Sequence, residues 1–302
     1  MEMARGCNQS FEELPSIDQQ LTFSKLSIEL IRVLGIEQLN RDILKTLELY
    51  SDQNGFNNAA ALLADTNSFK GIDIIRFGNS INEIMERKSL ENISILLQME
   101  QCIQMFHQYY RYEKIEGMDR KSVDKIPERA FREAVANALV HRMWDIPASI
   151  KISMYSDKIE ISSPGGLPAG ISEDEYLNGQ ISLLRNPIIG NVFFRLKYIE
   201  KFGTGIMRIN YAYKDALIKP DYHIFSNSIQ IILPVIKSDY KLNETEKKLL
   251  NILKINGSMT RNEIEKAAEI DKSKAIRGLN RLIEKKMIQK RDLGRGTKYE
   301  IV

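Results

Sequence analysis

Cysteine is nearly absent: the 302 residues hold two, Cys7 and Cys102, and no CxxC pair. That leaves no disulfide framework and no thiolate zinc site. No apolar run approaches the twenty or so residues that span a bilayer, and the opening MEMARGCNQSFEELPS lacks the apolar core of a signal peptide. No membrane partner is therefore expected, and a cytoplasmic location is. A phosphate loop ending in Gly-Lys-Ser or Gly-Lys-Thr occurs nowhere, which excludes a helicase motor. Internal repeats and low-complexity segments are missing too. What is present is ordinary globular composition, 43% hydrophobic and 27% charged, with length enough for two or three domains.

Charge is scarce in total, +3, but unevenly placed. Residues 241–302 carry 16 Lys and Arg against 9 Asp and Glu, a balance of +7, which leaves −4 for the preceding 240. A basic terminal module on a mildly acidic body is the pattern of a nucleic-acid-binding domain joined to something else; a solvated basic face is the plainer alternative.

Boundaries follow from composition. KSDYKLNE reads as a linker after the strand-like SIQIILPVI, and GMDRKSVDKIPERA breaks the chain upstream, with Pro127 suited to the first turn of a helix. Three segments result: 1–122, 123–236 and 241–302. In the first, apolar spacing predicts helices in TFSKLSIELIRVLG and EQLNRDILKTLELY, short strands in NAAALLAD and IDIIRF, and a long helix in SLENISILLQMEQCIQMFHQYYRYE, a small α+β segment. His107 in that helix reads as a packed or surface histidine. The second segment runs helix, two strands, a glycine turn, RNPIIGNVFFRLKYIE, KFGTGIMRINYAYKDAL and two more strands, an order that suggests a two-layer α/β sandwich. The fold class is α+β.

In EAVANALVHR, Glu133, Asn137 and His141 recur every four residues and so share one face of a helix that is otherwise apolar. Buried polar groups need a partner, supplied by the protein or by a ligand. Two glycine turns follow, Ser163-Pro164-Gly165-Gly166 and Phe202-Gly203-Thr204-Gly205, the second directly before a helix, where backbone N–H groups can approach an anion. Asn137 has the oxygen chemistry of a magnesium ligand and Glu133 that of a group polarising water.

EAVANALVHR, KIEISSPGGLP and RNPIIGNVFFRLKYIEKFGTGI together resemble the nucleotide-binding domain of bacterial transcriptional regulators labelled RecG-like, and through it the GHKL ATPase superfamily. The likeness covers roughly residues 5 to 236, with RGCNQSFEELPSIDQQLTFSKL resembling the tail of a Schlafen-type AlbA-like domain. The resemblance implies ATP and magnesium as cofactors, Glu133 as general base, Asn137 as magnesium ligand, and Gly165, Gly166, Arg185, Asn186, Gly203, Thr204 and Gly205 as nucleotide contacts. Ser163 stands where the superfamily has an aspartate that binds the adenine amine. Ligand occupancy would then order the segment from Ile181 to Phe202 and so reorient the winged helices of a homodimer. A slow ATPase and a scaffold without nucleotide are the alternatives.

The last segment is patterned more strongly. Asn243 with Glu246, and Thr260 with Glu263, form capping boxes; Gly257 ends the first helix; Asp271 caps a third whose Ala275, Leu279 and Leu282 or Ile283 face inward. IQKRD, LGRG and TKYEIV make a strand-turn-strand, so the module is a winged helix. Double-stranded DNA is the expected partner, with Lys272, Ser273, Lys274, Arg277 and Arg281 on the recognition helix and Arg295 and Lys298 in the wing. Protein contact is the alternative use of such a module.

Overall fold

The computed structural model describes residues 10–117, 119–168, 170–179, 183–200, 204–216, 218–236, 242–285, 287–292 and 297–301. The chain divides into two compact units, 1–236 and 237–302.

In the first unit a short 3₁₀ turn, Phe11–Glu13, precedes α1 (Ser24–Leu34), α2 (Arg41–Thr46), β1 (Tyr50–Ser51), β2 (Gly55–Phe56), α3 (Asn58–Leu63), β3 (Ile72–Phe77), β4 (Ile84–Leu90) and α4 (Ile95–Tyr110). Then come β5 (Arg111–Glu116), β6 (Asp119–Asp124), α5 (Glu128–Val140), β7 (Ile150–Met154), β8 (Lys158–Pro164), α6 (Glu173–Leu177), α7 (Pro187–Arg195), α8 (Gly205–Ala212), β9 (Asp221–Phe225) and β10 (Ser228–Pro234). Six of these strands form one sheet in the order β4-β3-β7-β8-β10-β9. Its described neighbours are antiparallel except β3 and β7.

Alternation of side chains along each strand sets the register. Ile74, Ile152, Ile161 and Ile231 stand opposite one another in a single row across four strands, and all four are buried. Helix α5 covers β8 and β10, and Phe131 of α5 stacks on Phe106 of α4 with ring centroids 4.6 Å apart. The expected division between residues 122 and 123 falls in β6 within this unit, and strands from both sides of it share the six-stranded sheet, because β3 and β4 extend that sheet beyond β7.

NAAALLAD is a helix, α3, where the sequence pattern predicts a strand. Asn57 accepts a hydrogen bond from the Ala60 amide at 2.9 Å as its N-cap, and alanine favours helix over strand. Burial on all sides removes the helical periodicity that would reveal it: Ala59 to Leu63 are all buried. The long helix also stops sooner than its pattern suggests. It ends at Tyr110, and Arg111–Glu116 pairs with Asp119–Asp124 as a hairpin. IDIIRF is the strand β3, and His107 lies 3.3 Å from Glu128, in a cluster with Arg111.

The second unit contains α9 (Glu244–Asn256), β11 (Met259–Thr260), α10 (Arg261–Ala268), α11 (Lys272–Glu284), β12 (Ile288–Asp292) and β13 (Thr297–Ile301), with sheet order β11-β13-β12. Both capping boxes form, and Asp271 accepts from the Lys274 amide at 2.8 Å. Leu249, Leu253, Ile264, Leu279 and Leu282 fill its core. This is the three-helix, small-sheet arrangement of a winged helix.

Candidate functional site

The polar row on α5 resolves into distinct roles. Glu133 is 7% exposed and Asn137 half-buried, and among the described residues neither side chain makes a hydrogen bond. Both open on a cavity of about 550 Å³ that also meets His141, Gly166, Arg185, Glu200, Thr204 and Gly205. Burial raises the Glu133 carboxyl above the usual carboxylate range, with Arg208 and Arg129 opposing. His141 is held down to about 4 by burial and by Arg185, so its imidazole is neutral at pH 7.

Gly205 begins α8 directly over this pair. A methyl there would lie 2.5 Å from Asn137 Nδ2 and 2.9 Å from Glu133 Oε1, so glycine is the residue that lets the helix end approach. Thr204 precedes it, and its hydroxyl accepts from Arg208 Nε at 3.1 Å. Gly203 lies outside the described residues.

The first glycine turn is packed rather than open. Gly165 has φ +108°, and a methyl on it would sit 2.3 Å from Arg185 Nη1; one on Gly166 would sit 2.3 Å from the Ser226 carbonyl oxygen. Arg185 donates to the carbonyls of His141 at 2.9 Å and Gly166 at 2.7 Å, clasping the turn to the end of α5. Asn186, buried, donates to the carbonyls of Val140 at 2.7 Å and Arg142 at 2.8 Å. These bonds satisfy the backbone oxygens that the end of a helix leaves over. Both side chains expected to hold nucleotide are thus engaged with the fold itself.

Ser163 donates to the Ala138 carbonyl at 2.8 Å, turned into the protein. The space it borders, with Asn137, His141 and Tyr176, is about 20 Å³. That is room for about one water molecule and not for a purine. The residues thus fit the magnesium half of an ATP site, through the oxygens of Asn137 and Glu133, but not the base half.

Two residues to which the sequence pattern assigns no role of their own also brace the fold around the site. Arg142 is 1% exposed and donates to the carbonyls of Lys70 at 2.5 Å and Ala148 at 2.8 Å, with its guanidinium over the Trp144 ring. Burial pulls it down to about 10. Glu12, fully buried, accepts from the amides of Ile188 at 2.7 Å and Ile189 at 3.0 Å, at the start of α7, and burial pushes it up to about 7. A glutamate 176 residues ahead of its partner in sequence leaves no local signal.

In the second unit Lys272, Ser273, Lys274 and Arg277 are placed on the first turns of α11, and all four are exposed. Arg277 Nε donates to Ser273 O at 3.3 Å. Arg281 is 59% exposed but turns toward α9, 3.9 Å from buried Glu246, which Lys285 also holds at 2.7 Å. Lys298 is half-buried on β13, beside Thr260 in register, and its charge helps hold the Glu263 carboxyl down, after the larger effect of the Thr260 amide and hydroxyl. Arg295 lies outside the described residues.

Residues 148–233 match the family model described as "Putative ATP-dependent DNA helicase recG C-terminal", and residues 236–302 match that of the sugar-specific transcriptional regulator TrmB. Each match covers less than a third of the chain, and together they make it similar to RecG-like regulators in its middle and to TrmB-type regulators at its end. The RecG-type match begins after α5, so Glu133 and Asn137 lie outside it. A solved structure, the DIP2311 protein of Corynebacterium diphtheriae, has the same fold with a TM-score of 0.67 at 18% identity, over 97% of this chain. This chain spans 64% of that protein's length. No curated protein matches it. No described helix is long and apolar enough to cross a membrane.

Proposed function

We propose that this RecG-like regulator binds double-stranded DNA through α11 and the wing, and that the cavity over α5 is its ligand sensor. The observation that carries the reading is the basic first turn of α11, open to solvent on a module of charge +7. A recognition helix enters the major groove with its N-terminal residues at base edges. Arg277 has the reach and fork to read guanine, while Lys272, Ser273 and Lys274 meet phosphates. Arg295 and Lys298 serve the wing, and Arg281 a flanking phosphate at most, given its approach to Glu246. A homodimer in the cytoplasm would supply the two half-sites.

Magnesium-ATP is the ligand the family resemblance suggests. Asn137 and Glu133 would hold its metal, but the space beside Ser163 has no place for its base, so Glu133 is assigned no hydrolytic step. The full chain should shift random-sequence duplex at low ionic strength, with affinity falling by a log–log slope of about −0.9 for each phosphate neutralised. Absence of any salt-sensitive shift at micromolar protein would assign the winged helix to a protein partner instead.

A further inference from the structure

We infer that the cavity bounded by α5, α6, α7 and α8 takes an organic cation, an amine or amidine on an apolar body, with its charge against Glu133 and Asn137. The inference rests on the sensor reading above and adds the ligand's chemistry. A cavity of about 550 Å³ suits a small molecule, and its walls are mostly apolar, with Ile171, Leu184, Phe194, Ile199, Ile206 and Ile229 among them.

The charge of the lining decides the class. Among its described residues Arg185 is the one cation, and both its Nη atoms are bound to backbone carbonyls. Arg208 lies outside the lining, 3.4 Å from Glu200. His141 is neutral. Glu133 and Glu200 are the acids, and Glu133 is buried with no hydrogen bond among the described residues. An anion entering this space would meet a carboxylate and, among the described lining residues, no free positive group. A neutral polyol would leave the carboxylate uncompensated and spread hydroxyls over apolar walls. A cation instead satisfies Glu133, for which burial alone is costly. Asn137, one turn on, offers its amide oxygen to the same N–H groups.

Calorimetry and thermal shift on the full chain with phenylbutylamine, phenylbutyrate, phenylbutanol and magnesium-ATP separate the outcomes, since the first three share one apolar body. The amine should bind saturably at millimolar concentration or below, at least about tenfold tighter than the alcohol, with the butyrate weakest. Glu133→Gln should cut amine affinity about 10- to 100-fold and leave the alcohol unchanged. Because the three-probe ranking is read on the unaltered protein, it stands even where the variant fails to fold. Binding of the butyrate or of magnesium-ATP as tight as the amine overturns the inference, as does no saturable response to the amine. Duplex DNA shift by the same preparation is scored separately, so loss of the cation reading and loss of the regulator reading are distinct results.

Discussion

Two helices of thirteen residues each carry the chemistry of this chain, and they dispose of their polar groups in opposite ways. Helix α5 buries nine of its residues, among them Glu133, while α11 buries four and turns Lys272, Ser273 and Lys274 into water. A charge on α11 costs little to keep, because solvent supports it until a phosphate replaces the solvent. A charge on or beside α5 must be answered by the fold or by a ligand. The buried groups therefore sort by partner. Arg142, Arg185, Asn186 and Ser163 are answered by backbone carbonyls. Glu133 and Asn137 make no side-chain hydrogen bond among the described residues, Glu133 having only the through-space attraction of Arg208 and Arg129, and that difference marks the site.

The largest effect should come from removing an answered group. Arg142→Ala would orphan the carbonyls of Lys70 and Ala148 and open a void beside Trp144, at a cost on the order of 3–5 kcal/mol in denaturant unfolding. Lysine should recover little of it, since an ammonium cannot span both oxygens with a planar fork. A loss under about 1 kcal/mol for the alanine variant would mean that buried polarity at α5 is not what holds this sheet.

Glu12 comes next and is read through pH. Its folded value of about 7 lies above the ordinary 4.5 of the unfolded chain, so the folded form holds the proton longer. Stability is then fully present below about 4.5 and is lost as pH rises through 7. Measured against Glu12→Gln, which lacks the titration, the wild type should lose on the order of 3 kcal/mol between those limits. Parallel pH profiles for the two proteins would show that the carboxylate is ionised on the α7 amides throughout.

On the solvent side, Arg277→Ala should cost about 1–3 kcal/mol of specific DNA binding and relax preference at one base position, with the melting of the protein unchanged. Lys274→Ala should weaken all sequences alike and reduce the salt slope by about one. Arg281→Ala, because of Glu246, should instead change stability more than DNA affinity. Equal losses on DNA from Arg277 and Arg281 would erase the distinction drawn between the two faces of α11.

Legibility from sequence follows the same division. The winged helix is readable because its signals are local: Asn243 with Glu246, Thr260 with Glu263 and Asp271 each act within one turn, and the structure forms all three caps. The four-residue spacing of Glu133 and Asn137 is readable for the same reason, and both open on one cavity. What fails to show is non-local. Glu12 reaches Ile188 across the unit, β3 and β4 join a sheet whose other strands follow residue 149, and α3 loses its periodicity to complete burial. The two glycines of the first turn are visible, but not the reason for them, since Arg185 and Ser226 approach from distant sequence.

The smallest effect is the most diagnostic of the comparison. Glu133→Gln keeps the shape of the side chain and removes a carboxyl whose folded value burial has raised. For such a group stability is fully present below the unfolded value near 4.5 and declines as pH rises through the folded one, so at neutral pH the native glutamate contributes a strain that glutamine lacks. The variant should therefore melt at the same temperature as the wild type or slightly above it, within about 1 kcal/mol, and the advantage should vanish in acid. Arg142→Ala, which removes an answered group beyond the end of the same helix, moves stability in the opposite direction. If Glu133→Gln instead loses more than about 2 kcal/mol at neutral pH, the carboxylate is bonded within the fold, and the unanswered acid that points to a cationic ligand is gone.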